Sequence, residues 1–213
     1  IMSEIMNVPV YIDNDVNTFT LTELWFGNGL GANHFMTVTI GRGIGLGLVT
    51  NGKIYRGQGG AGEIGHTVIT PGGKRCECGK QGCLEAYISD PALVNEAFEQ
   101  GLITKQDSIK TLANLANSGS VEAEKIISNA GYIFGSTLAN LANIFDPEFI
   151  IVGGEGLRLG DNFLNGMNKA FLNETMPALR GRTTITIDRL DDTAWARGAA
   201  GLILQEIFES PIG

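Results

Sequence analysis

Glycine recurs at every second position in the apolar run IGRGIGLGLVT, as Gly41, Gly43, Gly45 and Gly47. Side chains of extended backbone alternate between two faces, so these four glycines lie on one face of an extended or hairpin segment and leave it bare. A bare face accepts a closely packed backbone or offers N–H groups to a phosphate, and spacing alone does not separate the two. The flanking residues place the run in a β-meander. FMTVTI (35–40) reads as a strand and 44–49 as its partner. Asn51-Gly52 supplies the two positive-φ residues of a type I′ turn into a third strand at 53–55. Position 46 is leucine, which excludes the dinucleotide fingerprint, and no Gly-Lys pair is followed by the Ser or Thr of a Walker loop.

Elsewhere the pattern alternates between strand and helix. An apolar run at 8–12 (VPVYI) reads as a strand, followed by Asn14-Asp15 and a helix at 16–26. A glycine-rich loop (57–65) and a cysteine-bearing loop (72–82) come after the meander. Pro91 fits the first turn of a helix, and helical spacing continues at 109–116 and 121–145, with Leu138, Leu141, Ala142 and Phe145 on one face. A buried strand at 149–152 ends at Gly153-Gly154, and a helix (162–173), a strand (184–187) and a closing helix (193–208) complete an α/β chain with a mixed sheet.

With 43% apolar and 18% charged residues, the 213-residue chain can build a core and is not of the disordered class. No apolar run approaches the roughly 18 residues that span a bilayer, and no signal peptide is evident, so the chain is expected to be soluble. A net charge of −8 repels phosphate backbones, and no basic patch large enough to overcome that field is present. Three cysteines make a poor disulfide set; clustered at 76, 78 and 83, they predict a reducing, cytoplasmic setting and a metal.

His66, Cys76, Cys78 and Cys83 form H-x9-C-x-C-x4-C, one imidazole and three thiolates, which complete a tetrahedral zinc shell with no open position. The site is therefore expected to be structural, with Lys74, Arg75 and Lys80 offsetting its negative charge. The alternative is three buried cysteines that happen to cluster. Asn14-Asp15 stands at a strand exit, where open α/β sheets place ligands, although either residue could merely cap the following helix. Glu63 lies in a loop too glycine-rich to be a packing element, and Glu85 follows Cys83-Leu84 and is held near the metal loop. Oriented acceptors in a rigid frame suit a polyhydroxylated ligand. If one nitrogen of His66 binds the metal, the other is fixed and could donate to that ligand.

Asn14-Asp15, IGRGIGLGLVTNGKIYRGQGGAGEIGH (40–66), CECGKQGCLEAY (76–87), LANLANIFDPE (138–148) with IIVGG, and ARGAAGLIL (196–204) together resemble the ROK family of sugar kinases and NagC/XylR-type transcriptional repressors. The resemblance covers nearly the whole chain. It implies an actin-like ATPase (ribonuclease H-like) fold with a sugar in the cleft between two lobes. It also implies sugar binding by Asn14, Asp15, Glu63, His66 and Glu85, with Asp15 as general base in kinases. Structural zinc would sit on His66, Cys76, Cys78 and Cys83. Gly41, Gly43 and Gly45 would form a phosphate loop, vestigial in a repressor, with Gly153-Gly154 near the nucleotide. Kinases of this family usually carry Thr where this chain has Arg42, and their N-terminal Asp-x-Gly loop is not found here; ATP and Mg²⁺ belong only to the kinase alternative. The chain, which opens at Ile1, is expected to be a piece of a longer protein. On that reading 1–14 ends a truncated N-terminal lobe, 15–190 forms the C-terminal sugar and zinc lobe, and 191–213 is a closing helix. The expected protein is a dimeric or tetrameric sugar-responsive repressor whose DNA-binding helix-turn-helix lies outside this chain.

Overall fold

The computed structural model describes residues 2–188 and 193–208. The expected boundary at 191 falls outside those residues. Three antiparallel strands, β1 (Phe35–Ile40), β2 (Ile44–Thr50) and β3 (Lys53–Ile54), form the meander. Asn51 and Gly52 take φ of 53° and 70°, as the type I′ turn requires. Strand β1 then pairs in parallel with β4 (Phe149–Gly153), and β4 with β5 (Thr184–Ile187), giving the order β3-β2-β1-β4-β5.

Alternation along the strands divides the core. Met36, Val38, Ile40, Leu46, Leu48, Ile150 and Val152 face one way, against α3 (Glu85–Ile88), α4 (Asp90–Glu99), α5 (Ile109–Asn117), α6 (Val121–Phe145) and α7 (Asp161–Glu174). Phe35, Val49, Ile54 and Ile151 face the other way, against α2 (Asp15–Phe26), which α8 (Ala194–Phe208) backs. A further short helix, α1 (Met2–Met6), is exposed throughout and was not expected from the sequence. Helix α2 is buried on every side from Val16 to Leu24, because the sheet takes one face and α8 another. Its threonines stay inside by donating to helix carbonyls one turn back, Thr20 to Val16 and Thr22 to Thr18. Helices α6 and α7 meet through glycines: a Cβ at Gly131 or Gly135 would collide with carbonyls of Phe163 or Met167.

One local expectation fails. Residues 8–12 form no strand; Val8, Val10, Tyr11 and Ile12 are exposed, and no neighbouring strand among the described residues offers them a ladder. Leu138, Leu141, Ala142 and Phe145 share one face of α6 as their spacing predicts, with Phe145, the last helical residue before the left-handed cap Asp146, half-exposed.

Candidate functional site

A cavity of about 1000 Å³ opens where β1 and β4 end and β2 begins. Asn14, Asp15, Gly41, Arg42, Gly43, Gly45, Glu63, Glu85, Gly154, Glu155 and Arg158 contribute to its lining. It thus gathers the amide and carboxylate at the start of α2, residues of the glycine run and both loop glutamates. His66 and Gly153 are not among its lining residues. A larger groove of about 1290 Å³ beside α6 is lined mainly by apolar side chains and includes Glu63 alone of the predicted ligand-binding residues.

The glycine run does two different jobs. Gly41-Arg42-Gly43 is the hairpin tip between β1 and β2, closed by the Gly41 N–H donating to Gly43 O at 3.1 Å, with Arg42 exposed at its apex. Gly45 and Gly47 lie under α2, although Gly45 also contributes to the cavity lining. A Cβ at Gly45 would press on Val16 and Thr39, and one at Gly47 would collide with the hydroxyl of Thr20, which is hydrogen-bonded to Thr37 at 2.6 Å. The tip of the run faces the cavity, Gly47 is helix-packing surface, and Gly45 takes part in both. Gly154, at φ 101°, lies where a Cβ would meet the Ile40 carbonyl, so its bareness serves the crossing of chain segments at the strand ends.

Backbone N–H groups hold Glu85, Asn14 and Asp15 directly, and Glu63 is placed through its loop. Glu85 opens α3, and its Oε2 accepts the Ile44 N–H at 3.3 Å, which fixes the carboxylate against the hairpin and leaves Oε1 available. Gly43 and Gly65 stand on either side of that oxygen, within 3.1 and 3.2 Å of an added Cβ. Glu63 follows Gly62, whose carbonyl accepts the Leu46 N–H at 3.1 Å and lays the loop on β2. Asn14 caps α2 by accepting the Val16 N–H at 3.3 Å, and Asp15 Oδ1 takes the same N–H at 2.7 Å. The capping reading of this pair therefore holds, and both residues still reach the cavity.

Beside Glu63, the donor atoms of His66, Cys76, Cys78 and Cys83 all lie within 4.8 Å of one another. Tetrahedral zinc, about 2.3 Å from sulfur and 2.0–2.1 Å from nitrogen, sets sulfurs about 3.8 Å apart and sulfur and nitrogen about 3.6 Å apart. The Cys78 and Cys83 sulfurs are 3.7 Å apart, and Cys76 Sγ is 3.6 Å from His66 Nδ1, so the quartet fits one such ion. Burial pushes the Cys83 thiol up to about 11, with the neighbouring thiols adding to it, while the backbone hydrogen bond from Lys80 lowers the pKa of Cys78. His66 turns Nδ1 to the sulfurs and Nε2 toward Glu63 Oε2, 3.9 Å away. Of the basic residues expected to offset the cluster, Lys80 donates to the His66 carbonyl at 2.7 Å. Lys74 is committed elsewhere, to Glu96 at 2.9 Å and to the Tyr87 ring.

Asp90, Glu155 and Arg158 also stand at this end of the sheet without any local sequence signal. Asp90 ties α4 to the hairpin tip through its N–H to Gly41 O at 2.8 Å, and its buried Oδ1 has no hydrogen-bond partner among the described residues. Burial raises its pKa, Glu155 adds to the effect and Arg158 opposes it. No local periodicity marks these residues, because they reach the tip only through the fold.

The ROK family profile matches residues 1–206. The chain belongs to the ROK family. A glucokinase of Halalkalibacterium halodurans is 34% identical over 96% of this ROK chain and 66% of its own length. A xylose repressor of Caldicellulosiruptor bescii is 30% identical over 99% of the chain and 56% of its own length. The crystal structure of a ROK family glucokinase from Streptomyces griseus, in complex with glucose and AMPPNP, superposes with a TM-score of 0.82 at 30% identity, covering 94% of the chain and 70% of that structure. The fold is thus that of ROK sugar kinases, the actin-like ATPase fold. The chain spans between about half and two thirds of these two sequence relatives. Kinases and repressors alike are among its ROK relatives.

Proposed function

We propose that this chain is the sugar-sensing portion of a ROK-family transcriptional regulator, a repressor of carbohydrate-use genes. The observation that carries this reading is the hairpin tip. Its apex presents Arg42 to a cavity whose other walls carry Asn14, Asp15, Glu63 and Glu85. The Glu85 carboxylate, held by the Ile44 N–H, accepts sugar hydroxyls without first reorganising, and Glu63, on a loop laid against β2 through the Gly62 carbonyl, offers a second, more exposed acceptor to a polyhydroxylated ligand. At the apex, a long cation replaces the small hydroxyl residue usual in ROK kinases, which alters the phosphate-facing tip on which phosphoryl transfer depends.

Zinc is the ion we assign to His66, Cys76, Cys78 and Cys83. Four protein donors leave no open position, so its contribution is structural. With His66 held through Nδ1, its Nε2 side supports Glu63, as outer-sphere carboxylates commonly pair with metal-bound histidine. Sugar binding regulates only if it favours one lobe arrangement over another, and a homo-oligomer would carry that shift to DNA-binding heads outside this chain.

The second reading, an ATP- and Mg²⁺-dependent hexose or N-acetylhexosamine kinase with Asp15 as general base, is favoured by the glucokinase relative. Mixing the natural protein that carries this chain with ATP, Mg²⁺ and a hexose panel separates the two. The regulator reading expects a sugar-dependent thermal shift that Glu63→Ala removes, without phosphoryl transfer. Turnover at about 1–100 s⁻¹ would establish the kinase instead.

A further inference from the structure

The cavity walls that carry acceptors come from segments distant in sequence: Asn14-Asp15 at the start of α2, and Gly62-Glu63 in the loop after β3. Residues 8–14 have no strand partner among the described residues, and 57–62 is a succession of turns, so no strand ladder among those residues holds either wall. Asp13, immediately before Asn14, has both carboxylate oxygens engaged. Its Oδ1 accepts the Asn14 N–H at 2.8 Å and Asn17 Nδ2 at 2.6 Å, and its Oδ2 accepts Arg56 Nε at 2.8 Å. Burial pushes the Asp13 pKa up, but the hydrogen bonds from Asn17 and Arg56 outweigh it and hold the carboxyl below its ordinary value.

Arg56 reaches both ways. Its carbonyl accepts the N–H groups of Gly59 at 2.8 Å and Ala61 at 3.4 Å, closing the turns that lead to Gly62-Glu63. Its guanidinium donates through Nε to Asp13 and through Nη2 to Gln205 of α8 at 3.2 Å. One rigid fork therefore joins the two walls and the helix behind α2, which a lysine, with a single nitrogen, cannot do in the same geometry. Neither Asp13 nor Arg56 lines the cavity, so they act through the residues they hold.

We propose that the Asp13–Arg56 pair is a positioning clamp that sets the spacing between Asn14-Asp15 and Glu63 for sugar binding and ties that spacing to α8. The proposal rests on the sugar-sensing reading above. A ligand that changes the spacing must also load the Arg56–Gln205 contact, which gives the C-terminal helix a direct report of occupancy.

The test is calorimetric titration of the natural protein with glucose, xylose and N-acetylglucosamine. It is repeated on Arg56→Ala, Asp13→Asn, the double variant, Arg56→Lys and Glu85→Ala, with melting curves showing each variant folded at the assay temperature. Affinity for the tightest-binding of the three sugars should fall about tenfold in each clamp single variant, by no more in the double variant, and recover in part in Arg56→Lys. A purely structural pair would lower the melting temperature and leave affinity unmoved. Wild-type affinity retained in folded Arg56→Ala, or losses that simply add in the double variant, would overturn the clamp. If affinity survives in the clamp variants yet is lost in Glu85→Ala, the clamp alone fails. If the wild type binds none of the three sugars, the sugar-sensing reading fails with it.

Discussion

Gly43 and Gly47 belong to one period-two run, yet a methyl group added to each would meet different surroundings: the Glu85 carboxylate at 3.1 Å for Gly43, and the Thr20 hydroxyl inside α2 for Gly47. The period was legible, because it is a property of consecutive residues. What each bare face meets was not, because Glu85 and Thr20 arrive from opposite ends of the meander. Glu23 is a stronger case. Nothing in ELW announces a functional carboxyl, yet Glu23 is 2% exposed, accepts the Asn28 N–H and amide at 2.9 and 3.0 Å, and shares a hydrogen bond with Asp188. Burial, reinforced by Asp188, pushes its pKa from 4.5 up to about 7. The folded protein thus keeps a proton that the unfolded chain releases, so this residue's contribution to stability is fully present below pH 4.5 and is lost as pH rises to about 7. Glu23→Gln, which can accept from Asn28 and donate to Asp188, should remove that slope and raise stability at pH 8 by about 1–3 kcal/mol. Urea unfolding at pH 5 and pH 8 checks it: an unchanged pH dependence in the variant would mean the proton is held elsewhere.

At the scale of elements, helices with local start signals were the most legible. Ser89 before Asp90-Pro91 caps α4 by accepting the Ala92 N–H, and α6 runs from Val121 to Phe145 as its spacing predicts. The run at 8–12 misled because β-propensity describes side chains that fit a pleated surface, and no neighbouring strand among the described residues provides one. The metal loop was legible for the opposite reason. Its four donors are close in sequence, and the bridges Arg75↔Gln81 and Val68↔Cys83 fold the loop on itself before any distant contact is required. Because Cys83-Leu84 leads straight into α3, losing the ion should loosen the anchor of Glu85. Elemental analysis should find about one zinc per chain. Cys78→Ser should lose it and lower the melting temperature, as chelation of the wild type should. A folded native chain without metal would refute both the ion and its support of Glu85.

For the whole molecule, three layers put α2 and α8 on one side of a five-stranded sheet and α3–α7 on the other, and the cavity opens at the strand ends where the layers meet. Layering also orders local stability. Amides of Val38, Ile150 and Ile151, at 0% exposure on the central strands, should exchange hydrogen only through global opening, while 2–12 of this 213-residue chain should exchange orders of magnitude faster. Equal protection in both regions, read by mass spectrometry, would contradict the layering. Among the described residues no helix is long and apolar enough to cross a membrane. By itself the sequence determined what neighbouring residues dictate: the meander and its Asn-Gly turn, the helix caps, the mixed α/β order and the His-Cys quartet. Only the tertiary structure decided which glycines face a cavity, which carboxyls are paired, that 8–12 lacks a ladder and that Arg56 joins Asp13 to α8. Those outcomes depend on contacts between segments tens to more than a hundred residues apart, and no local period or spacing encodes such a contact.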